Sequence, residues 1–372
     1  MDTPIRRRLG CEDPIFAFSH CRDVVAAVTN AGGFGVLGAS TFAPDRLETE
    51  LSWIDEHTGG RPYGVDVLIP TSYDRRAEAA PEDLEAMIPA GHRAFVEGIL
   101  ADAGVAELAP EDRTRLRREL AEGRGAMTPR GARRLLEVAL AHPGVRMVVS
   151  ALGTPPPDVV EQLRARDVVV GALCGKARHA EKQLAAGVEV IIAQGTEAGG
   201  HTGEVSTLVL VPEVVAVAGD RASVLAAGGI THGSQIAAAL AMGAQGVWCG
   251  TIWLGTRESE LDEFERRVLF ATGSDGTVRR RARTGKPVRM IRGELAEAWE
   301  RPGAPDYLPA PLQGVLYNEA HRRVVRARRA DLYSAPAGQS VGALRAETSV
   351  SEVLYTLRRQ YGEAVERLTG SI

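Results

Sequence analysis

The sequence predicts an α/β protein built on a (β/α)8 TIM barrel. Eight short apolar segments rich in Val, Ile and Leu recur along the chain, and segments with helical character follow most of them. The apolar segments do not alternate with polar residues, which is typical of parallel strands buried on both faces. A succession of eight strand–helix units is the pattern of a closed parallel barrel surrounded by helices.

Each predicted strand ends in small or polar residues. In chain order, the strands cover residues 15–18, 35–40, 63–69, 145–152, 167–174, 188–195, 223–229 and 246–251. Helices are expected at residues 22–30, at 176–186 and at 233–242, the last two each followed by a glycine. The glycines at residues 31–35 follow a helix and precede a strand, the reverse of the order in a dinucleotide-binding motif. We therefore interpret them as the turn into the second strand.

Two segments depart from the regular spacing. Residues 72–144 contain charged, helix-favouring sequence such as EDRTRLRRELAEG, and we expect a helical insertion over the barrel surface. Residues 256–333 are Arg-rich and helical in pattern, with the Pro-rich interruption RPGAPDYLPAPLQG. Their basic stretches, 279–283 and 322–329, are expected to be solvated helix faces, because they lack the interleaved aromatic residues of a nucleic-acid site.

Composition excludes several classes of partner. The chain has 372 residues with 44 Lys and Arg against 48 Asp and Glu, so its charge of -4 gives no field that would attract nucleic acid or an anionic membrane. The four cysteines form no C-x-x-C pair, which suits a reducing compartment. The chain contains no apolar run of about 18 residues and no leader-like apolar core near its start. We therefore expect a cytoplasmic protein with neither nucleic acid nor a membrane as partner.

The loop after the sixth strand is the strongest candidate for a catalytic site. In barrel enzymes, catalytic and ligand-binding groups come from the C-terminal ends of the strands. Here the sixth strand runs into AQGTEAGGHTG at residues 193–203, where four glycines allow close approach of a ligand to the backbone. His201 lies in this loop, and its side chain can exchange a proton near neutral pH. We predict that His201 is a general base.

Glycines at the ends of the seventh and eighth strands predict a phosphate site. Gly228 and Gly229 end one strand, while Gly250 and Thr251 end the next. Backbone N–H groups exposed at these two strand ends commonly hold a phosphate in barrels of this type.

The remaining histidines carry weaker predictions. His20 follows the first strand and is a candidate for lining the pocket, whereas His232 is expected to cap the next helix. The others are assigned no function: His57, His92, His142, His179 and His321. The chain contains no H-x-x-H, H-E-x-x-H or carboxylate cluster with ligand spacing, so no metal is expected.

Six motifs together resemble one enzyme family. They are AGGFGVLGAS, AQGTEAGGHTG, VLAAGGI, ALAMGAQGVWCGT, TGKPVR and AGQSVG. In this order they resemble the nitronate monooxygenases, also called 2-nitropropane dioxygenases, from about residue 13 to about residue 355. The resemblance implies an FMN-dependent barrel over residues 1–255, a smaller helical substrate-side domain over the barrel mouth at 256–333, and a segment at 334–372 that returns to the barrel.

The resemblance also implies roles for individual residues. His201 takes the place of the family's active-site histidine, and His20 and Gln339 are expected in the substrate pocket. The positions implied to bind the cofactor are Phe18, Ser19, Asp66, Gln194, Gly199, Gly200, Gly228, Gly229, Gly250 and Thr251. Two positions depart from the family pattern: Asp66 stands where an asparagine is common, and Phe18-Ser19-His20 stands where A-P-M is common.

The implied reaction is the oxidation of alkyl nitronates by oxygen to carbonyl compounds and nitrite. His201 would hold the nitro oxygens or remove the α-proton of a neutral nitroalkane. NAD(P)H is a candidate reductant, and a homodimer is a candidate assembly.

Two alternatives remain open. A flavin-dependent enoyl-thioester reductase that uses NAD(P)H would share much of the motif set. Its acyl carrier protein or coenzyme A would need basic groups near the pocket, which residues 279–283, Lys286 and Arg289 could supply. A phosphate-ligand-binding barrel without chemistry is the other alternative, and the intact loop around His201 argues against it.

Overall fold

The computed structural model describes residues 1–70, 78–151 and 153–370. It confirms the predicted fold class, since eight parallel strands form one closed barrel. Residue 152, at the end of the predicted fourth strand, and residues 72–77, at the start of the predicted insertion, lie outside the described residues.

The barrel strands follow one another around the ring in chain order. The strands of this part of the chain are β1 (Ile15–Ser19), β2 (Phe34–Gly38), β3 (Tyr63–Val67), β4 (Val145–Ser150), β5 (Val169–Cys174), β6 (Val190–Gln194), β7 (Gly200–His201), β8 (Ser223–Ala227) and β9 (Gly246–Cys249). Strand β7 has two residues and lies outside the barrel. The ring closes where β9 pairs with β1, with Trp248 opposite Phe16.

The helices are numbered in the same way. They are α1 (Pro4–Leu9), α2 (Arg22–Asn30), α3 (Pro44–Thr58), α4 (Pro81–Ala86), α5 (Ala90–Asp102), α6 (Pro110–Ala126), α7 (Pro129–Ala139), α8 (Pro157–Arg164), α9 (Ala177–Ala185), α10 (Thr207–Ala218), α11 (Gly233–Ala241), α12 (Glu263–Ala271), α13 (Glu294–Glu297), α14 (Leu312–Arg326) and α15 (Val350–Thr369). Short 3-10 helices cover Gly219–Arg221, Thr251–Gly255, Ala298–Glu300 and Gln339–Ala343.

Side chains of alternate strand residues fill the barrel. Phe16, Phe34, Met147 and Trp248 belong to one interior cluster, which α1 joins through buried apolar side chains. Phe16 and Trp248 stack with 6.4 Å between ring centroids. Residues between these positions, such as Val65 on β3, pack outward against the helices. The barrel is therefore a packed core, and its C-terminal end is left for a site.

The last helix completes the outer ring of the barrel. Helix α15 packs against α11 and α2, between the helices that follow the seventh barrel strand and the first. Gln360 on α15 accepts a hydrogen bond from the backbone N–H of Gly233 at 2.9 Å. The C-terminal segment thus packs on the barrel as its eighth outer helix, α15. In the chain, residues 250–349 separate this helix from the last barrel strand, β9. The domain boundaries themselves stay predictions.

The long insertion is helical, and three of its helices pack against a later helix. Helices α4, α5 and α6 lie against α14, and Leu84 and Ile88 share a small apolar cluster with Leu308 and Leu312. Only α7 takes a regular place in the ring, against α3 and β3. The first three helices of the expected helical insertion thus form one helical layer with α14.

The prediction for the basic stretch at 322–329 is corrected in part. Arg323 is only 3% exposed and pairs with Glu97 of α5, with 2.7 Å between Nη1 and Oε1. Arg322 pairs with Glu119 of α6 at 2.9 Å. Both arginines bridge α14 to the insertion. The expectation of a solvated face was wrong for Arg323, which is buried, whereas Arg322 stays exposed.

The region predicted to be helical at 256–333 contains a hairpin. Strands β10 (Thr277–Arg280) and β11 (Val288–Ile291) pair antiparallel, and β7 adds a third strand beside β11. Because His201 lies on β7, this small sheet links the loop after β6 to the later part of the chain.

Among the described residues, no helix has both the length and the apolar character needed to cross a membrane.

Candidate active site

The C-terminal ends of the barrel strands form the mouth, where inward-facing side chains meet the loops. Phe18 reaches the mouth from β1 and stacks on Trp248 with 6.0 Å between ring centroids. Strand alternation directs Asp66 of β3 and Gln194 of β6 to the same end, because their strand neighbours pack in the outer layer. The mouth therefore combines an aromatic surface with two polar side chains.

Asp66 is a buried carboxyl at the mouth. It is 2% exposed, and within the described part of the chain no donor or cation contacts its side chain. Burial alone raises the pKa of Asp66 well above its ordinary value, which favours the neutral acid. A neutral carboxyl presents one O–H donor and one C=O acceptor, as an asparagine amide presents both kinds of group. The departure from the family's asparagine is therefore smaller in hydrogen bonding than the residue type suggests.

His20 and Ser19 lie at the rim beside Phe18. The Nδ1 atom of His20 is 2.6 Å from the carbonyl oxygen of Gly38, and its ring meets Phe18 edge-on at 5.1 Å. Ser19 accepts a hydrogen bond from the backbone N–H of Cys21 at 3.1 Å. His20 is exposed at the mouth, as expected for a pocket residue, and its contact with a substrate stays a prediction.

Glu197 holds the loop after β6 in place. Its carboxylate accepts from the backbone N–H of Thr207 at 3.0 Å and from the Thr207 hydroxyl at 2.8 Å. The same hydroxyl lies 3.1 Å from the carbonyl oxygen of Gly228. Glu197 therefore caps α10 and links the loop to the end of β8. This residue could not be predicted from the sequence, because ten positions separate it from Thr207 and no local capping pattern covers that spacing.

Arg289 ties the hairpin to the same loop. Its Nε donates to the carbonyl oxygen of Thr196 at 2.6 Å, and its Nη1 donates to the Thr277 hydroxyl at 3.2 Å. Arg289 is 9% exposed, and burial lowers its pKa, as does the nearby charge of Arg279. Arg289 is therefore not free to contact an acyl carrier, since its guanidinium is occupied inside the protein.

His201 lies opposite Val288 of the hairpin, and its Nδ1 is 3.2 Å from the carbonyl oxygen of Pro287. That carbonyl can only accept, so this contact assigns the proton to Nδ1 and leaves a lone pair on Nε2. The residue is exposed, yet surrounding protein desolvates the ring enough to lower its pKa, and Lys286 and Arg283 lower it further. His201 is thus neutral at pH 7, the state required of a base.

The segment around Gln339 contacts the loop after β6 and the end of β9 through its backbone. The backbone N–H of Gln339 donates to the carbonyl oxygen of Glu197 at 2.9 Å, and that of Gly338 donates to the Thr251 hydroxyl at 2.9 Å. A Cβ atom on Gly199 would lie 2.7 Å from the nitrogen of Gly338. Glycine at 199 is therefore required by this close approach, and the predicted contacts of Gly199 and of the Gln339 side chain with ligands stay predictions.

The predicted phosphate-binding residues are brought together. Gly228 and Gly229 have φ values of 106° and 74°, which favour glycine, and β8 pairs with β9 so that Gly250 and Thr251 lie alongside. Space remains near Gly250, where an added Cβ would have no neighbour closer than 3.9 Å, and around Gly200, where it would meet nothing within 4 Å.

The prediction that His232 caps the next helix is confirmed, since its Nδ1 accepts from the backbone N–H of Ser234 at 3.1 Å. In the described ranges, no group of three or more His, Cys, Asp or Glu side chains is arranged to hold a metal.

The fold and the site together define the class of protein. The protein is a (β/α)8-barrel enzyme whose site combines a neutral histidine, a buried carboxyl and glycine turns at the strand ends. A family model described as nitronate monooxygenase matches residues 18–360. The chain belongs to the nitronate monooxygenase family, and it is a flavin oxidoreductase.

Individual proteins show what the chain is similar to. Rv1533 of Mycobacterium tuberculosis, provisionally named a monooxygenase, is 48% identical over 100% of both chains. A second protein of that organism, the (3aS,4S,5R,7aS)-5-hydroxy-7a-methyl-1-oxo-octahydro-1H-indene-4-carboxyl-CoA dehydrogenase, is 32% identical over 80% of this chain and 68% of its own. Among solved structures, nitroalkane oxidase from Streptomyces ansochromogenes has a TM-score of 0.76 and 28% identity over 96% of this chain and 98% of its own.

Proposed function

We propose that the protein uses FMN to oxidise alkyl nitronates, or the nitroalkanes from which they form, with oxygen to carbonyl compounds and nitrite. The family match over residues 18–360 supports this reaction class. The structural observation that carries the proposal is His201, a histidine kept neutral at the barrel mouth with its Nε2 lone pair unused.

The residues at the mouth fit a flavin mononucleotide. Asp66 is an orphaned buried group that can donate and accept, as the polar edge of a flavin ring requires. Phe18 offers an apolar surface, and Gly228 with Gly250 offers backbone at two adjacent strand ends for a phosphate. When bound, FMN supplies the redox chemistry and the reaction with oxygen.

In the proposed reaction, His201 accepts the proton from the substrate and then releases it. Nε2 of His201 accepts the α-proton of a neutral nitroalkane, which leaves an imidazolium beside the new nitronate. The imidazolium then donates a hydrogen bond toward the negative charge and returns the proton to solvent, to which the residue is open. A substrate that arrives already ionised has no α-proton to lose, so it does not need His201 as a base.

A thioester reductase is the second candidate. The similarity to a CoA-compound dehydrogenase supports it, as does the exposed Lys286 in the hairpin loop next to His201. Arg289 is buried, however, and Arg280 is engaged by Glu297 at 2.9 Å. Fewer basic groups are therefore free to bind an acyl carrier than the sequence indicated. In this candidate function, NAD(P)H would be the reductant.

We also propose a cytoplasmic location, a small-molecule substrate and a homodimer. The four cysteines are free and three of them, Cys21, Cys174 and Cys249, are buried, which suits a reducing compartment. The homodimer stays a prediction that a mass measurement in solution would test.

Replacing His201 tests the proposed reaction. In His201→Asn, nitrite release from neutral 2-nitropropane should fall about 100-fold or more, the range for loss of a general base. Release from the preformed anion should fall less, because no proton has to be removed. Bound FMN should be unchanged.

His57→Asn is the matched control, because His57 is an exposed histidine at the end of α3, away from the mouth. It should behave as the wild type. Equal losses with both forms of the substrate in His201→Asn, or a loss of FMN with full turnover per remaining flavin, would contradict the role assigned to His201.

A further inference from the structure

The loop between β10 and β11, residues 281–287, is held firmly next to His201. The backbone N–H of Gly285 donates to the carbonyl oxygen of Arg281 at 2.8 Å, which closes the loop. The fully buried Gln313 of α14 donates to the carbonyl oxygen of Ala282 at 2.7 Å. At the other end of the loop, Pro287 contacts the ring of His201. The residue after Ala282 therefore has a fixed position beside the mouth.

That residue is Arg283, and its guanidinium has no anionic partner among the residues that the structure describes. The guanidinium carbon lies 5.5 Å from the centre of the Tyr317 ring, and Nη1 is buried without a hydrogen bond. Over the described ranges, neither a carboxylate nor a backbone carbonyl accepts from Arg283, although the residue is only half-buried. Neighbouring arginines differ: Arg280 pairs with Glu297, and Arg289 donates to Thr196.

The groups around Arg283 do not compensate its charge. The Tyr317 hydroxyl can accept from the guanidinium, but it is neutral, and its own proton is donated to the carbonyl oxygen of Ser334. Burial together with the charges of Arg283 and Arg322 lowers the pKa of His321 to about 3, so that ring is neutral. His201 is neutral as well, and Lys286 is a second cation nearby. Among the described residues, the guanidinium faces the Tyr317 ring and pairs with no carboxylate, so its donors are available to an anion that joins it.

We propose that Arg283 is an anion-binding residue of the substrate pocket, so that the substrate binds with a negatively charged planar group of two oxygens against this guanidinium beside His201. A nitronate and a carboxylate both have this shape. The planar fork of arginine donates two parallel hydrogen bonds to such a group, which selects it over a neutral amide of equal size. The identity of the reacting group rests on the proposed function, whereas the anion site itself does not.

Binding of a simple anion tests the site without any turnover. Calorimetric titration of the FMN-loaded protein compares propionate with propionamide, which has similar size and no charge. The wild type should bind propionate at least about tenfold more tightly, and Arg283→Met should lose that preference. Arg283→Lys keeps the charge without the fork and should lie between the two. Arg166→Met, which removes an exposed arginine at the opposite end of the barrel, should match the wild type.

Melting temperatures distinguish a loss of anion binding from misfolding of the variant. Arg283→Met removes a guanidinium that lacks a counter-charge, so without ligand it should melt at the same temperature as the wild type or higher. Propionate should raise the melting temperature of the wild type only. If the wild type does not discriminate propionate from propionamide, or if Arg283→Met binds propionate normally or loses FMN instead, the proposal is overturned.

Two substrates show which anion the site takes. The KM of Arg283→Met should rise for both the 2-nitropropane anion and the 3-nitropropionate dianion if the nitronate is bound, and for the dianion alone if the carboxylate is bound. Either result supports an anion site, and unchanged KM values for both contradict it. A wild type that releases no nitrite would defeat the proposed function, yet propionate binding that depends on Arg283 would still be observed.

Discussion

Asp66 shows how surroundings, rather than residue type, set the character of a side chain. In the sequence it is an acid where the family commonly has an amide. In the barrel it is 2% exposed and has no charged partner in the described part of the chain, so the neutral form is favoured. The side chain then offers the same kinds of hydrogen-bonding group as an amide. Asp66 therefore differs from the family pattern in residue type, but its neutral side chain still fits the same cofactor.

The raised pKa of Asp66 predicts that the effect of Asp66→Asn on the free energy of unfolding depends on pH. Because burial raises the pKa of Asp66 well above its ordinary value, the folded protein holds a proton that the unfolded chain releases as pH rises. Stability of the wild type therefore declines between the unfolded-state pKa and the raised folded-state pKa, by about 1.4 kcal/mol for each pH unit of that interval. Asparagine does not titrate, so the variant should be more stable than the wild type at pH 8.

Denaturant unfolding of FMN-free protein at pH 4 and pH 8 would measure this difference. The gain from Asp66→Asn should be small at pH 4 and larger at pH 8, while FMN affinity at pH 6 should stay close to that of the wild type. An equal gain at both pH values would show that Asp66 is not a buried neutral acid.

The sequence predicts the function of an individual residue only where the neighbouring residues form a recognisable pattern. His201 was found because it lies in a glycine-rich loop after a predicted strand. Glu197 and Arg289 act through partners that lie 10 and 93 positions away, and Arg283 is distinguished by the lack of a counter-charge, so no local pattern encodes them. Their roles required the folded chain.

The loop after β6 is the element on which the site depends. Glu197 fixes it to α10, Arg289 fixes it to the hairpin, and the backbone of Gln339 fixes it to the C-terminal segment. Three separate parts of the chain therefore set the position of His201. We expect damage to any one of them to affect cofactor binding and turnover as well as stability.

Glu197→Ala tests this coupling. Loss of the cap on α10 should cost about 1 kcal/mol of unfolding free energy, and the freed loop should weaken FMN binding and lower turnover. Asp262→Ala is the control, because Asp262 caps α12 by accepting from the backbone N–H of Glu265 at 2.8 Å. It should lose similar stability with little change in FMN affinity. Matching FMN affinities in the two variants would mean that the cap does not hold the cofactor loop.

Elements were predicted well where the apolar pattern was continuous. All eight barrel strands follow from buried apolar runs, since both faces of such strands must be apolar. Strand β7 could not be predicted, because a Gly-His pair has no periodicity. Strand β10 ends in arginines and was interpreted as part of a helical region. Both strands depend on pairing between distant segments.

At the scale of the whole molecule, two long insertions build one layer of helices. The first lies between β3 and α7 and supplies α4 to α6, and the second lies between β9 and α15 and supplies α14. Arg323 joins them by pairing with Glu97 and donating to the carbonyl oxygen of Ala106 at 3.1 Å. The sequence located both insertions as breaks in spacing, but their contact could not be inferred from either one alone.

Neighbouring arginines of α14 offer a matched pair for testing this layer. Arg323→Ala removes hydrogen bonds of a buried cation and should cost roughly 2 kcal/mol, with faster proteolysis of residues 90–126. Arg322→Ala removes an exposed pair with Glu119 and should cost less than about 1 kcal/mol. Limited proteolysis and unfolding of both variants would measure the difference. Equal behaviour would indicate that the layer does not depend on Arg323.

In the proposed reaction a nitronate is the electron donor to the flavin. An anaerobic absorbance titration of the purified protein with the 2-nitropropane anion, and separately with NADPH, tests this role. We predict a yellow protein whose flavin absorbance is bleached by the nitronate alone. Bleaching by NADPH only, followed by recovery of the colour with an enoyl thioester, would contradict this role and establish the reductase instead.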